Sequence, residues 1–277
     1  MDNKINTMVE GIINPKYLDP AFTAELKTAY DTASPCKHIV LEDFFQEDIA
    51  LDLFNNFPSI DQLNVKRKSL NEDKSEDYHF ERWHPSFSKV RSAVGSKEWS
   101  EQLGRITGID GLHTTTDALG SGVHQGRNGS YVDVHIDVNM NPKLGLWRRL
   151  NLLVYLNKNW QPEYGGDLEL WNKEMTELVT KVPPTFNTAV IFYTDDNSPH
   201  GYGKINIPEG ESRKSFYTYF YTKPEDGVTY RDSKFISRPD DGAVRKMATG
   251  IKETLKINGK KLLKTLGMKD LDFQDKN

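Results

Sequence analysis

Apolar positions recur at helical intervals through the first third of the chain and then change to the alternation of strands. Residues 20–33 place Phe22, Leu26 and Tyr30 four apart, behind Asp19 as an N-cap and Pro20 at the first helical position, which predicts a helix. Residues 47–57 gather Ile49, Leu51, Leu53 and Phe54 on a broad apolar face, and residues 96–107 do the same with Trp99, Leu103 and Ile106 before Gly108 stops the helix. Between these two lie residues 64–78, crowded with charge and poor in large apolar side chains. That composition predicts a mobile loop able to serve as a substrate lid.

From about Leu112 the period shortens. Residues 130–138 alternate, 150–157 form a near-continuous apolar run, and 166–171 follow a Gly-Gly turn; 188–193 and 213–222 complete a series of short strands rich in aromatic and β-branched residues. Such a series predicts a mainly β protein with flanking α-helices and a closed or double-sheet core of the jelly-roll or cupin kind. Residues 242–267 return to a helical pattern, with Val244, Met247, Ile251, Leu255 and Leu262 as an apolar stripe and Lys252, Lys256, Lys260, Lys261 and Lys264 around it. The expectation is a helix packed by its stripe with its lysines in water. The resulting division is a helical region over 1–110, the β core over 111–225 and a basic helical tail over 226–277.

Composition narrows the partners. The 277 residues carry a net charge of −4, so no global basic field points to nucleic acid or an anionic membrane. A small-molecule, protein or peptide substrate fits better. The lone Cys36 excludes an intramolecular disulfide and a cysteine-based zinc cluster, in keeping with a reducing compartment. Residues 1–19 hold no apolar segment of signal-peptide length and no run approaches a membrane span, which makes cytoplasmic residence the expectation.

The candidate chemistry sits in the strands. In His135-Ile136-Asp137 the two polar residues are two apart, so a regular strand points both to one face. An imidazole and a carboxylate together suit Fe(II), and a second histidine would complete one face of an octahedron while leaving the other open. His200 follows the apolar run Val190-Ile191-Phe192-Tyr193 and precedes Gly201; His38, His79, His84 and His113 have no comparable context. Taken alone, His-x-Asp is a common tripeptide and His200 an ordinary loop histidine. Arg213 opens the strand Arg213-Lys214-Ser215-Phe216-Tyr217-Thr218-Tyr219, where alternation groups Arg213, Ser215, Tyr217 and Tyr219. If that face is inward, the guanidinium requires an anion, and a 2-oxo acid whose other end chelates the metal provides one. The bland reading is a salt bridge at a strand end.

With these residues in place, the chain resembles the prolyl-4-hydroxylase-like branch of the Fe(II)/2-oxoglutarate-dependent oxygenases over about two-thirds of its length. The resemblance rests on Gly122-Val123-His124, His135-Ile136-Asp137, the run Leu150 to Asn157 with Trp160, Gly165-Gly166-Asp167-Leu168-Glu169-Leu170-Trp171, Ser198-Pro199-His200-Gly201 and Arg213-Lys214-Ser215, in that order. It implies a double-stranded β-helix with Fe(II) on His135, Asp137 and His200. It further implies 2-oxoglutarate on Arg213, with Tyr155 and Ser215 assisting, and ascorbate as a candidate reductant. Relatives often carry a tyrosine upstream of the His-x-Asp pair; here His124 stands nearest, as a co-substrate contact or as filling for the barrel mouth. The implied reaction consumes O2 and 2-oxoglutarate, releases succinate and CO2, and hydroxylates an unactivated C–H bond. Halogenating relatives lack the carboxylate, so Asp137 favours hydroxylation.

The substrate stays open at this level. A prolyl residue is the analogy; a free amino acid, a glycan or a secondary metabolite are alternatives, with the 64–78 loop, Trp147, Arg148 and Trp171 as candidate contacts. Two other classes remain: a non-catalytic jelly roll that binds metal and 2-oxoglutarate, and a cupin-like enzyme that uses the metal without 2-oxoglutarate.

Overall fold

A computed structural model describes residues 7–117 and 119–265, with backbone alone at 7 and 259–265. Its helices are α1 (Thr7–Glu10), α2 (Pro20–Thr32), α3 (Glu47–Asn55), α4 (Pro85–Val94), α5 (Lys97–Thr107) and α6 (Ala243–Thr265). Its strands are β1 (His38–Leu41), β2 (Val65–Lys68), β3 (Glu72–Asp77), β4 (Ser121–Gly126), β5 (Tyr131–Ile136), β6 (Met140–Asn141), β7 (Leu146–Tyr155), β8 (Leu168–Trp171), β9 (Leu178–Val182), β10 (Thr188–Tyr193), β11 (His200–Tyr202), β12 (Arg213–Thr222) and β13 (Lys234–Phe235).

All pairings are antiparallel, and the main path runs β1-β10-β7-β12-β4-β3-β5-β11-β8-β9, with β2 on β3, β6 on β7 and β13 on β5. Strands distant in sequence therefore become neighbours in a nearly closed jelly roll, as the strand pattern predicts. Strand β7 shows why its sequence is an unbroken apolar run. Leu152 and Val154 join Leu26, Leu53, Val90, Trp99 and Leu103 in the core under the helices, while Leu153 and Tyr155 face Leu168, Leu170, Val182 and Phe192 inside the roll. A strand buried on both faces loses the polar half of its alternation.

The predicted N-cap is present, since the Asp19 carboxylate accepts from Phe22 N at 2.9 Å, and Gly108 ends α5 in the left-handed region at φ +72°.

Three expectations need correction. Residues 64–78 are not a loop: β2 and β3 form a hairpin whose second strand bridges β4 and β5. Its inward side chains are ionic, so a charged face took the place of the apolar alternation that marks a strand. That hairpin and β1 also mean that the first 110 residues supply strands as well as helices. Finally, α6 is turned over relative to its expected seat. Val244, Met247, Ile251 and Leu255 are exposed, whereas Lys252 bonds Asn71 Oδ1 at 2.9 Å and Lys256 pairs with Asp232 at 3.2 Å. The side chains of Lys260, Lys261, Leu262 and Lys264 and the end of the tail at Gly267 lie outside the described residues. Among the described residues no helix is long and apolar enough to cross a membrane.

Candidate metal centre

Strands β5 and β11 set the centre. His200 stands opposite His135, whereas Tyr202, two residues along β11, stands opposite Val132, three residues along β5. Residues directly opposite in a ladder share a face. One extra residue is thus inserted in β5 between Val132 and His135, a β-bulge that breaks the regular alternation expected for residues 130–138. Its effect is to turn the Asp133 side chain outward while His135 faces the interior. Gly201 lies against this bulge. A Cβ there would sit 2.7 Å from Val132 O and 2.9 Å from Asp133 C and O, so only glycine allows the two strands to approach.

The strand ends at Ile136, and Asp137 follows it directly. His135 Nε2 lies 3.6 Å from Asp137 Oδ1 and His200 Nε2 lies 3.7 Å from Asp137 Oδ2; the three candidate ligand atoms all fall within 4.8 Å of one another. His135 Nδ1 is 3.0 Å from Asp133 O and His200 Nδ1 is 2.9 Å from Ser198 O. A carbonyl only accepts, so each ring carries its proton on Nδ1 and offers an Nε2 lone pair to the shared point. Burial, then the neighbouring His135, pushes His200 down to about 4, which keeps it neutral at ordinary pH.

Arg148 is the residue that sequence reasoning left among candidate substrate contacts. It is buried, reaches Asp137 Oδ2 at 3.2 Å, and its guanidinium lies 3.8 Å from the centre of the Tyr219 ring. Burial alone would raise the Asp137 carboxyl; the Arg148 guanidinium overrides it and holds Asp137 well below the usual carboxylate range. Two adjacent arginines inside an apolar strand were the available signal. Trp147 instead stacks on Arg149, with the guanidinium 4.0 Å from the ring centre, and Trp171 Nε1 donates to Glu169 Oε2 at 3.0 Å.

Glu76, His124, Ser215 and Tyr155 form one row across β3, β4, β12 and β7, each opposite the next. Arg213, two residues from Ser215, shares that face. It is 5% exposed, its Nε donates to Gly166 O at 2.8 Å, and its guanidinium is flanked by the Tyr202 and Tyr155 rings at 4.1 and 4.9 Å. Among the described residues no carboxylate lies within ion-pair distance of it. Gly166, at φ +73°, makes room, since a Cβ would meet Ile205 Cγ2 at 2.4 Å and Arg213 Cδ at 3.2 Å.

His124 lies opposite Ser215 in this row. It stacks on Tyr217 with ring centres 4.2 Å apart, and its Nε2 lies 3.3 Å from Glu76 Oε2. Glu76 also pairs with Arg67 at 2.6 Å and Lys74 at 3.4 Å, so the β2–β3 hairpin contributes an ionic inner wall. Two clefts of about 500 Å³ and 510 Å³ open beside Arg149, Gly108 and Ile109, and neither borders the His-Asp-His cluster.

The residues fit a divalent metal with a bidentate acid. Among the described residues Asp137 Oδ2 is buried with no hydrogen bond beyond its ion pair to Arg148, two imidazoles converge on it, and the Tyr155 hydroxyl is buried beside Arg213. Residues 121–221 match the model of the 2OG-Fe(II) oxygenase superfamily. A Pseudomonas putida prolyl-4-hydroxylase is similar in structure, with TM-score 0.52 at 16% identity, covering 71% of this chain and 98% of that one. HygX from Streptomyces hygroscopicus, solved with nickel and 2-oxoglutarate bound, gives TM-score 0.51 at 11% identity over 76% of this chain and 96% of its own. At such identities the structures establish the jelly-roll fold. No curated protein matches the chain by sequence.

Proposed function

We propose that the chain, whose core over residues 121–221 matches the model of the 2OG-Fe(II) oxygenase superfamily, is an active member of that superfamily, a dioxygenase hydroxylating an unactivated C–H bond. His135, Asp137 and His200 would hold Fe(II), and Arg213 with Tyr155 would seat the far carboxylate of 2-oxoglutarate. Ser215, in the same row as Tyr155, would add a hydroxyl donor. When bound, iron supplies the activation of O2 that is coupled to conversion of 2-oxoglutarate into succinate and CO2.

The observation that carries the reading is Arg213. A buried guanidinium without a carboxylate partner among the described residues, on the same inner surface as a cluster of two imidazoles and a carboxylate, calls for a dianion that spans both. Arg148 keeps Asp137 ionised before metal arrives, and the carbonyls of Asp133 and Ser198 hold the two rings in the binding tautomer. The aromatic flanks of Arg213 exclude water, which strengthens its grip on a carboxylate.

A prolyl residue in a peptide is the substrate the resemblance suggests. The inner wall supports a second reading, a small polar substrate, because Arg67, Lys74, Glu76 and Tyr219 present charge and hydroxyl groups rather than aliphatic surface. Release of succinate from 2-oxoglutarate, measured with Fe(II), ascorbate and O2 across prolyl peptides, amino acids and glycosides, separates the two. Activity should vanish in His135→Ala and Asp137→Ala. A wild-type protein that binds metal and 2-oxoglutarate yet yields no succinate with any of them would be a binding module instead.

A further inference from the structure

Beyond the superfamily match, the C-terminal segment closes over the back of the bulge in β5. Strand β13 places Phe235 opposite His135 and Lys234 opposite Ile136, and Ile236 N donates to Val134 O at 2.8 Å. The Phe235 ring centre lies 5.5 Å from that of His135. Just after it, Arg238 Nη1 reaches Asp133 Oδ1 at 3.1 Å, and from α6 Arg245 Nη2 reaches both Asp133 oxygens at 2.9 and 2.8 Å. Asn71 Nδ2 donates to Asp133 Oδ2 at 3.1 Å, and Arg238 Nε donates to Glu169 Oε2 on β8 at 3.0 Å.

The Asp133 side chain is 5% exposed and so depends on these donors. Its own backbone carbonyl is the acceptor that fixes His135 Nδ1. The carboxylate and the carbonyl belong to one residue of the bulge. Whatever holds the carboxylate outward also sets the direction of the carbonyl, and through it the ring that faces Asp137 and His200. Arg238 does this from both sides of β11, since Asp133 is on β5 and Glu169 on β8, the strands that flank the one carrying His200.

We propose that Arg238 and Arg245 are positioning residues of the metal centre, acting on His135 through Asp133. The inference rests on His135, Asp137 and His200 being the metal ligands. Loss of both arginines would leave a buried carboxylate with Asn71 alone. The bulge would then turn Asp133 toward water, and the His135 ring would lose its fixed tautomer and direction.

The test is Co(II) titration of the purified full chain, followed by calorimetry and by the ligand-field absorption of the bound ion, with folding checked by circular dichroism. Partners of metal ligands commonly govern about 10- to 100-fold in affinity. We expect about a 10-fold weaker Kd in Arg238→Ala or Arg245→Ala, about 100-fold in the double variant, and a shifted Co(II) spectrum. Arg238→Lys and Arg245→Lys, milder changes, should recover part of the loss and serve if the double variant does not fold. Lys256→Ala is the control: it removes a salt bridge of the same segment, to Asp232, that does not touch β5. Equal Co(II) affinity in the folded arginine variants, or an equal loss in Lys256→Ala, would overturn the proposal while leaving the metal site standing. A wild-type protein that takes up no Co(II) would overturn the site and the proposal together.

Discussion

Replacing Gly201 by alanine tests the bulge directly. The added methyl would lie 2.7 Å from Val132 O and 2.9 Å from the carbonyl carbon and oxygen of Asp133, every one of them a backbone atom of the neighbouring strand. No side-chain rotation relieves such contacts. The strands carrying His200 and His135 must move apart by roughly half an ångström, and strain of this kind costs about 1–3 kcal/mol. Because the two histidines ride on the strands being separated, part of that strain also appears as poorer ligand geometry. We expect the urea midpoint to fall by the equivalent of about 2 kcal/mol at unchanged m, and Co(II) affinity to fall about 10-fold. Gly203→Ala is the matched control, since its methyl would meet only Glu169 Oε1 at 3.5 Å. If Gly201→Ala matches wild type in both midpoint and affinity, the close approach of β11 to the bulge is not what sets the centre.

Three further outcomes are expected. Arg213→Ala should raise the KM for 2-oxoglutarate at least about 30-fold, because truncating a buried charge pair costs about 2–5 kcal/mol; an unchanged KM in a succinate assay would point to an enzyme that uses the metal without 2-oxoglutarate. His124 is pushed down to about 4 by burial and by Lys74, with Glu76 opposing. The unfolded chain therefore binds this proton more readily than the folded one, so stability declines as pH falls from about 6.5 to about 4, by about 3 kcal/mol from this group. Denaturation curves of His124→Gln should be flatter than wild type over that window, and parallel curves would contradict the buried neutral ring. Co(II) at 100-fold its Kd should raise the unfolding free energy by about 2.7 kcal/mol. Thermal melts should show that gain reversed by EDTA and missing in Asp137→Ala.

The sequence was most legible where local chemistry agrees with tertiary demand. The cap at Asp19 and the stop at Gly108 are short-range effects, and β10 and β12 have the predicted bounds because aromatic and β-branched residues suit a strand buried on both faces. Strand β9 was missed for the opposite reason, being short and half exposed. Helix α4 was readable in principle from Phe87, Val90 and Val94. The candidate ligands followed from residue type and order, yet their shared face does not come from plain alternation. It depends on a bulge that only the pairing with β11 reveals. The wall built by Arg67, Lys74 and Glu76 was illegible as a strand because a β-face lined with ions carries the composition of a loop. The tie from Arg148 to Asp137 joins residues placed by different elements, and no spacing rule anticipates it.

The overturned seat of α6 bears on how the C-terminal segment would come loose. Its inward face offers Arg245, Thr249, Lys252, Glu253 and Lys256, while the side chains that would normally anchor a helix face water. Attachment by ions rather than by oil responds to dissolved salt, whose screening length shortens from about 8 Å at physiological strength to about 3 Å at 1 M. The apolar core beneath the N-terminal helices has no such sensitivity. Concentrated salt should therefore speed hydrogen exchange in residues 243–258 while the sheet stays protected, so that the back of the metal centre opens without the protein unfolding.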